Sequence, residues 1–304
     1  MERRRFLQSL AVMGGATAFG RAARAGENGL PPDAVGMLYD STLCIGCKAC
    51  VVKCREVNKL SPQRTKKDGG LHDMQTDLDF DTMTVIKLYQ NHEGAEGPPT
   101  AFIKQQCMHC IDPACVSACM LGALQKREFG VVTYRPDLCV GCRYCQIACP
   151  FGVPKFDFGS ATPAIAKCEM CMPRLKQGKQ PACTEVCPRK AIIFGKREAL
   201  LQEAHGRLAR QPRRYFPKVY GEHDAGGTQV LYLNPAGLPF EKVGLPALGD
   251  QSVPHLSNTI QDSVYQGMLT PAALYAALVF VVRRNKKNEP NHGDANEAGN
   301  EHQS

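Results

Sequence analysis

The chain has 304 residues, enough for one large domain or two small ones, and 16 of them are cysteine. Its formal net charge is +8, but the first 25 residues, with five arginines and one glutamate, contribute +4 of it. The composition therefore gives no polybasic argument for a nucleic-acid partner. An even number of cysteines leaves a disulfide framework open, so the function depends on what the thiols hold.

Residues 1–25 have the pattern of a twin-arginine export signal peptide. The run "RRRFL", which begins at Arg3, is similar to R-R-x-F-L, although Gln8 stands where lysine is common. The apolar stretch at 6–20 is too diluted to span a bilayer, and "ARA" before Gly26 supplies a cleavage site. The alternative is a chance basic start on a cytosolic protein. We predict export through the twin-arginine machinery, which carries folded proteins, and a linker at 26–36.

All sixteen cysteines lie between residues 37 and 195, in four groups. A polar, cysteine-free insertion at about 60–101, expected to form a hairpin with loops, separates the first group from the others. Groups one to four are Cys44, Cys47, Cys50, Cys54; Cys107, Cys110, Cys115, Cys119; Cys139, Cys142, Cys145, Cys149; and Cys168, Cys171, Cys183, Cys187.

Groups one and three follow C-x2-C-x2-C-x3-C, the spacing of bacterial two-cluster ferredoxins. Two-residue gaps fold the backbone around a cubane, whereas the cysteine after the three-residue gap points to the other cluster of the pair. The middle gap widens to four residues in group two and to eleven in group four. At either of these two groups, a [3Fe–4S] cluster is an alternative to a [4Fe–4S] cluster. Four [4Fe–4S] clusters would use all sixteen thiols.

Disulfides and zinc explain the same spacing less well. Bridged cysteines need Cα atoms about 4.4–6.8 Å apart with matched side-chain directions, which tight clumps do not favour. A protein that folds before export also meets a reducing cytoplasm first. Zinc favours two C-x2-C pairs rather than triplets with a trailing cysteine.

Other residues near the groups have ordinary expected roles. His109 is expected to be a hydrogen-bond donor or a surface residue rather than a ligand. Three phenylalanines, Phe151, Phe156 and Phe158, are expected to pack around group three and keep it dry. A solvated basic face is expected from Lys155, Lys167, Arg174, Lys176 and Lys179. No nucleotide-binding or nucleophile motif is present, so we predict no catalytic site.

Residues 196–262 are predicted to form an amphipathic helix followed by an irregular arm. The helix, at 196–210, places Leu200, Leu201, Ala204 and Leu208 on one face. Residues 263–282 contain no charged side chain and are predicted to form a transmembrane helix, with a buried core helix as the alternative. The basic run at 283–287 then predicts a cytoplasmic tail at 283–304.

Short apolar segments beside the groups, "GMLY", "GVVTY" and "AIIF", predict an α+β fold of tandem bacterial-ferredoxin-like domains. These domains would bind four [4Fe–4S] clusters, and the irregular arm and one C-terminal transmembrane helix would complete the chain.

Four such groups in this order resemble the iron–sulfur beta subunits of exported oxidoreductases of the formate dehydrogenase and dimethyl sulfoxide reductase type. More narrowly, "GMLYDSTLCIGCKACVVKC", "GCRYCQIACPFGVPKFDF" and "GMLTPAALYAALVFVVRRNKKN" are similar to the iron–sulfur proteins of hydrogenase-2 operons. Met120 stands where that family usually has proline, which bears on the local turn. The resemblance implies four ligand sets: Cys44, Cys47, Cys50, Cys187; Cys107, Cys110, Cys115, Cys149; Cys139, Cys142, Cys145, Cys119; and Cys168, Cys171, Cys183, Cys54.

The resemblance also implies a function. The chain would relay electrons from the small and large subunits of a periplasmic nickel–iron hydrogenase to an integral membrane quinone-reactive subunit. It would lie at the periplasmic face of the bacterial inner membrane. The alternatives are an iron–sulfur subunit of formate dehydrogenase or another molybdenum enzyme, and a cysteine-stapled exported binding protein.

Overall fold

The computed structural model describes residues 30–60, 77–90, 97–98, 100–159 and 164–286. They fall into two compact units, one that ends at His255 and one that begins at Leu256. The predicted signal peptide, the first four residues of the linker, most of the tail and much of the insertion lie outside the described residues.

Short strands and helices are interspersed along the described residues. The strands are β1 Val35–Asp40, β2 Val85–Gln90, β3 Thr100–Gln105, β4 Leu124–Lys126, β5 Val132–Tyr134, β6 Lys155–Phe156, β7 Ile165–Ala166, β8 Ile192–Lys196 and β9 Val230–Leu233. The α-helices are α1 Ala49–Val57, α2 Ala114–Ser117, α3 Tyr144–Ala148, α4 Met172–Leu175, α5 Ala182–Glu185, α6 Arg197–Arg210 and α7 His255–Lys286. Short 3₁₀ helices span Glu128–Gly130, Pro136–Leu138, Asp224–Gly226 and Phe240–Val243.

A three-stranded sheet lies at the centre of the first unit, in the order β8-β1-β9. β1 runs antiparallel to β8 and parallel to β9. The prediction of an irregular arm over 211–262 missed β9, because all four residues of "VLYL" are buried and leave no alternation of apolar and polar side chains. The arm therefore contributes a strand to the core.

Three hairpins accompany this sheet. β2 pairs with β3, β4 with β5 and β6 with β7, each pair antiparallel. The first of them shows that the expected hairpin of the insertion extends past residue 101, since β3 ends at Gln105, two residues before group two.

Sulfur-bearing and aromatic side chains share one core. Tyr39 and Tyr232, from β1 and β9, are almost fully buried, with ring centroids 5.4 Å apart. Their hydroxyls donate to backbone carbonyls of β3, Tyr39 to Phe102 at 2.7 Å and Tyr232 to Lys104 at 2.8 Å. The same core includes Cys183. These contacts tie the hairpin that precedes group two to the central sheet.

Helix α6 falls on the amphipathic segment at 196–210. Its buried side chains Leu200, Leu201 and Ala204 pack with Leu38 of β1 and Leu231 of β9. At its C-terminal end, Arg207 forms an ion pair with Asp40, 3.0 Å between Nη1 and Oδ2. Asp40 is fully buried and also accepts hydrogen bonds from Tyr215 and Thr42.

Replacing Arg207 by alanine is expected to destabilise the first unit by about 2–3 kcal/mol. Breaking a buried ion pair usually lowers the free energy of unfolding by ~3–5 kcal/mol. The loss expected here is at or below that range, because the hydroxyls of Tyr215 and Thr42 continue to donate to Asp40. For a domain of this size we expect the midpoint of thermal unfolding to fall by roughly 5–10 °C in anaerobic scans. The matched control is Arg210→Ala on the same helix, which removes an exposed partner of Glu203. Equal midpoints for the two variants would contradict the expectation.

The second unit contains helix α7, which is 32 residues long and has Pro271 inside it. Over the part of the chain that the structure describes, no helix combines the length and apolar character needed to cross a membrane. The transmembrane helix predicted at 263–282 is thus not found.

Candidate metal centre

The loops of the four cysteine groups share one backbone conformation. The residue just before the second cysteine has a left-handed φ in every group: Gly46, His109, Gly141 and Met170. In groups three and four its backbone N–H donates to the Sγ of the first cysteine, at 3.4 Å for Gly141 and 3.3 Å for Met170. Gly46 donates to Cys44 in the same way. The left-handed turn therefore curls each loop around its own thiols.

A short helix then receives the third cysteine of each group. Cys50, Cys115, Cys145 and Cys183 are each the second residue of a helix, in α1, α2, α3 and α5 respectively. The first residues of a helix have N–H groups without an intrahelical partner. The backbone N–H groups of Cys145 and Cys183 interact with their own thiols and lower their pKa values against the effect of burial, an arrangement suited to a sulfur that carries negative charge.

The structure brings the sixteen thiols together in four sets. Each set takes three cysteines from one group and the last cysteine of another. Burial is the main cause of the raised pKa values of Cys44, Cys110, Cys145 and Cys168, one thiol in each set, and neighbouring thiolates of the same set raise them further. Set 1 is Cys44, Cys47, Cys50, Cys187; set 2 is Cys107, Cys110, Cys115, Cys149; set 3 is Cys139, Cys142, Cys145, Cys119; and set 4 is Cys168, Cys171, Cys183, Cys54.

The sets suit a cofactor larger than a single ion. All sixteen cysteines are free thiols. In the described residues, no three His, Cys, Asp or Glu side chains are arranged around one metal ion. Zinc would hold its thiolates at about 2.3 Å and bring them within about 4 Å of one another. Instead, the four thiols of set 1, of set 3 and of set 4 each border a cavity of their own.

Interactions between the sets place them in a single order. Cys50 of set 1 packs in the same core cluster as Cys183 of set 4, and, after burial, the Cys183 thiolate helps to raise the pKa of Cys50. Cys168 of set 4 packs in one cluster with Cys107 of set 2. Cys115 of set 2 packs in another cluster with Cys145 of set 3. The order is therefore 1, 4, 2, 3.

Both ends of this series reach the surface. Cys47 in set 1 and Cys142 in set 3 are exposed, and their neighbours Ile45 and Val140 are exposed as well. The prediction that Phe158 packs around group three is wrong, because 71% of its surface is exposed. Phe156 does pack beside Cys139 and Cys145, as predicted, while Phe151 packs near Cys107 and Cys168.

Three lysines, Lys104, Lys126 and Lys167, lie close to the thiols, and the position of Lys167 differs from the sequence-based expectation. Lys167 is buried rather than solvated, and its Nζ donates to the carbonyls of Val132 and Cys168. Lys126 donates to the carbonyl of Cys110 at 2.6 Å. Burial lowers the pKa of Lys126 to about 8 against the opposing effect of Cys110.

Lys104 is the most enclosed of the three. It is fully buried in β3, and its Nζ donates to Thr84 Oγ1 and Gln106 Oε1. Burial alone would lower its pKa, but the thiolates of Cys183, Cys50 and other cysteines raise it above the ordinary value. Sequence reasoning missed Lys104, although its position three residues before Cys107 is a signal that could have drawn attention to it.

His109 is buried, contrary to the expectation of a donor or surface residue. Its Nδ1 accepts a hydrogen bond of 3.1 Å from the backbone N–H of Val132. Burial, together with Lys167 and Lys126, holds the pKa of its imidazole well below the usual range. The ring is therefore neutral and helps to shape the group-two loop.

Comparison with known proteins defines the class to which this fold and site belong. Residues 99–197, which contain groups two to four, match the family model of a 4Fe-4S dicluster domain. The predicted ferredoxin-like iron–sulfur domain with mixed helices and strands is thereby confirmed.

Relatives extend this class over nearly the whole chain. The hydrogenase-2 operon protein HybA of Escherichia coli O157:H7 is 42% identical, over 92% of each chain. The nitrate-inducible formate dehydrogenase iron–sulfur subunit of E. coli K12 is 33% identical over 81% of this chain and 83% of its own. The formate dehydrogenase iron–sulfur subunit of Haemophilus influenzae is 35% identical over 70% and 68% respectively. The chain belongs to the family of the hydrogenase-2 operon protein HybA.

Proposed function

We propose that the chain is the electron-transfer iron–sulfur subunit of a hydrogenase-2-type complex, without a catalytic site of its own. It takes electrons from the small subunit of a nickel–iron hydrogenase, whose large subunit oxidises hydrogen. It passes them to an integral membrane subunit that reduces quinone. Redox poise sets the direction of flow.

The continuous order of the four thiol sets supports this proposal most strongly. Each set is a neighbour of the next, and the two end sets have an exposed cysteine. A protein that used its thiols only to brace its fold would not need such a series. An electron carrier needs one, because electrons must enter at one surface and leave at another.

Each set is proposed to hold one [4Fe–4S] cluster through its four thiolates, which uses all sixteen cysteines. When bound, the clusters supply one-electron redox chemistry. The chain contributes the environment: buried side chains such as Met37, Met170 and Tyr232 exclude water, while backbone N–H groups donate to sulfur. Burial and hydrogen bonds to sulfur are the means by which proteins set cluster potentials.

The complex is proposed to act at the periplasmic face of the bacterial inner membrane. The twin-arginine pattern at residues 1–25 motivates export of the folded, cofactor-loaded chain.

The second candidate is an iron–sulfur subunit of formate dehydrogenase, which the relatives at 33–35% identity favour. Affinity purification of the tagged chain from detergent-solubilised membranes separates the two. We expect a nickel–iron protein to co-purify. Recovery of a molybdopterin protein in its place would favour the second candidate.

Counting iron and acid-labile sulfide in anaerobically purified protein tests the cofactor proposal. We expect about 16 iron atoms and as many sulfides per chain, the content of four cubanes. Zinc, or an absence of bound metal, would overturn the proposal.

Replacing Gly46 by alanine is expected to remove the cluster of set 1 and about a quarter of the iron. A Cβ on Gly46 would lie 2.3 Å from the Phe102 ring, and its φ of +71° is unfavourable for a side chain. The matched control is Gly152→Ala, where φ is +59° but nothing lies within 4 Å of the added Cβ. The control should retain its iron, and full iron content in Gly46→Ala would contradict the expectation.

A further inference from the structure

Lys104 occupies the space between set 1 and set 4. It borders the cavity lined by Cys44, Cys47, Cys50 and Cys187, and also the cavity lined by Cys54, Cys168, Cys171 and Cys183. Among the described residues, Lys104 is the only one that borders both of these cavities, and it is fully buried. One side chain thus contacts both neighbouring sites.

The side chain is held in place by neutral groups. Its Nζ donates to Thr84 Oγ1 at the edge of β2 and to Gln106 Oε1 just after β3. In the described part of the chain, Lys104 forms no ion pair with a carboxylate. The negative charges that act on it are thiolates: Cys50 from set 1, and Cys54, Cys168 and Cys183 from set 4.

A buried ammonium group is costly unless a negative charge compensates it. Hydrogen bonds to a hydroxyl and an amide satisfy two of its donors but supply no charge. The compensating charge must therefore come from the two cysteine sets, and it grows when each cluster gains an electron.

We propose that Lys104 is a potential-setting residue shared by the clusters of sets 1 and 4, raising the reduction potentials of both. This inference rests on the cluster binding proposed above. A fixed positive charge stabilises the reduced form of each cluster relative to the oxidised form, because reduction adds one negative charge. It also shields the two clusters from one another, so that an electron on one does not block the arrival of the next.

Redox titration monitored by electron paramagnetic resonance tests this on the intact complex, purified without oxygen. The variants are Lys104→Met, which removes the charge at similar length, and Lys104→Arg, which keeps it. Lys53→Met is the matched control, since Lys53 lies on α1 between Cys50 and Cys54 but is partly exposed and paired with Glu56 at 2.8 Å. The variants Cys50→Ser and Cys183→Ser identify the signals of sets 1 and 4.

In Lys104→Met we expect the reduced-to-oxidised ratio of two couples, those of sets 1 and 4, to fall at least tenfold at fixed potential. For a one-electron couple this is a shift of about 59 mV to more negative potential. The other two couples should stay in place, as should all four in Lys53→Met. In Lys104→Arg, which keeps the positive charge, both couples should stay close to their wild-type potentials.

Four unchanged couples in Lys104→Met would overturn the inference while leaving the proposed function intact. A wild-type complex without iron–sulfur signals would overturn the proposed function itself. Should Lys104→Met fail to assemble, Lys104→Gln is measured instead, with iron counted in both. Selective loss of two clusters from both neutral variants, with Lys104→Arg fully loaded, would support the shared charge; equal loss from all three variants would assign Lys104 a packing role only.

Discussion

Replacing Cys145 by serine is expected to lower hydrogen-dependent quinone reduction by about 10–100-fold or more. Losses of this size follow even from changing a residue that only hydrogen-bonds to a metal ligand. Cys145 is buried at the start of α3, among the other thiols of set 3. Set 3 lies at one end of the series, so electrons have no route around it. Hydrogen oxidation with an artificial dye should stay within about twofold, because the dye accepts electrons from the hydrogenase directly.

The matched control is Ser117→Ala. It removes an exposed hydroxyl at the end of α2, the helix that carries Cys115, and changes no cysteine. Both activities should be unchanged in it. A Cys145→Ser complex that lost dye reduction and quinone reduction to the same extent would show that the chain is needed for hydrogen oxidation itself, which contradicts a relay role.

Replacing Cys149 by serine is expected to damage a different cluster from the one damaged by Cys145→Ser. The two cysteines are four residues apart in group three, yet Cys149 is a neighbour of Cys107 and Cys110 in set 2. The spectrum of Cys149→Ser should therefore lose or change the signal that Cys107→Ser changes. Cys145→Ser should share its altered signal with Cys119→Ser of group two.

Low-temperature electron paramagnetic resonance of the four variants measures this pattern. Iron counts check that each variant loses no more than about one cluster, roughly four iron atoms. If Cys145→Ser and Cys149→Ser altered the same signal, each group would hold its own cluster, and the exchange of the last cysteine between groups would be wrong.

The kind of cofactor could be predicted from the sequence because the spacing of its ligands is a local property. Three cysteines with two-residue gaps can converge on one cluster when they lie on a tight loop, and the structure builds that loop around left-handed residues such as Gly46 and Gly141. The amphipathic segment that became α6 was equally readable, since its period of 3.6 residues appears in a single window.

Other features depend on contacts between residues far apart in the chain. Strand β9 joins a strand about 190 residues earlier, and its uniform burial hides the alternation by which strands are recognised. The wide gaps of groups two and four likewise left their geometry open until α2 and α5 placed Cys115 and Cys183 at helix starts.

The sequence by itself determined that this protein carries iron–sulfur clusters, because cysteine spacing specifies the loop and the loop specifies the ligand geometry. Tertiary structure alone decided the order of the four thiol sets, the burial of Lys167 and the position of Lys104 between two sets. The order of the sets and the burial of the two lysines depend on distances and charges between segments far apart in the chain. A lysine in the sequence does not show whether its side chain reaches water or lies buried between two thiol sets.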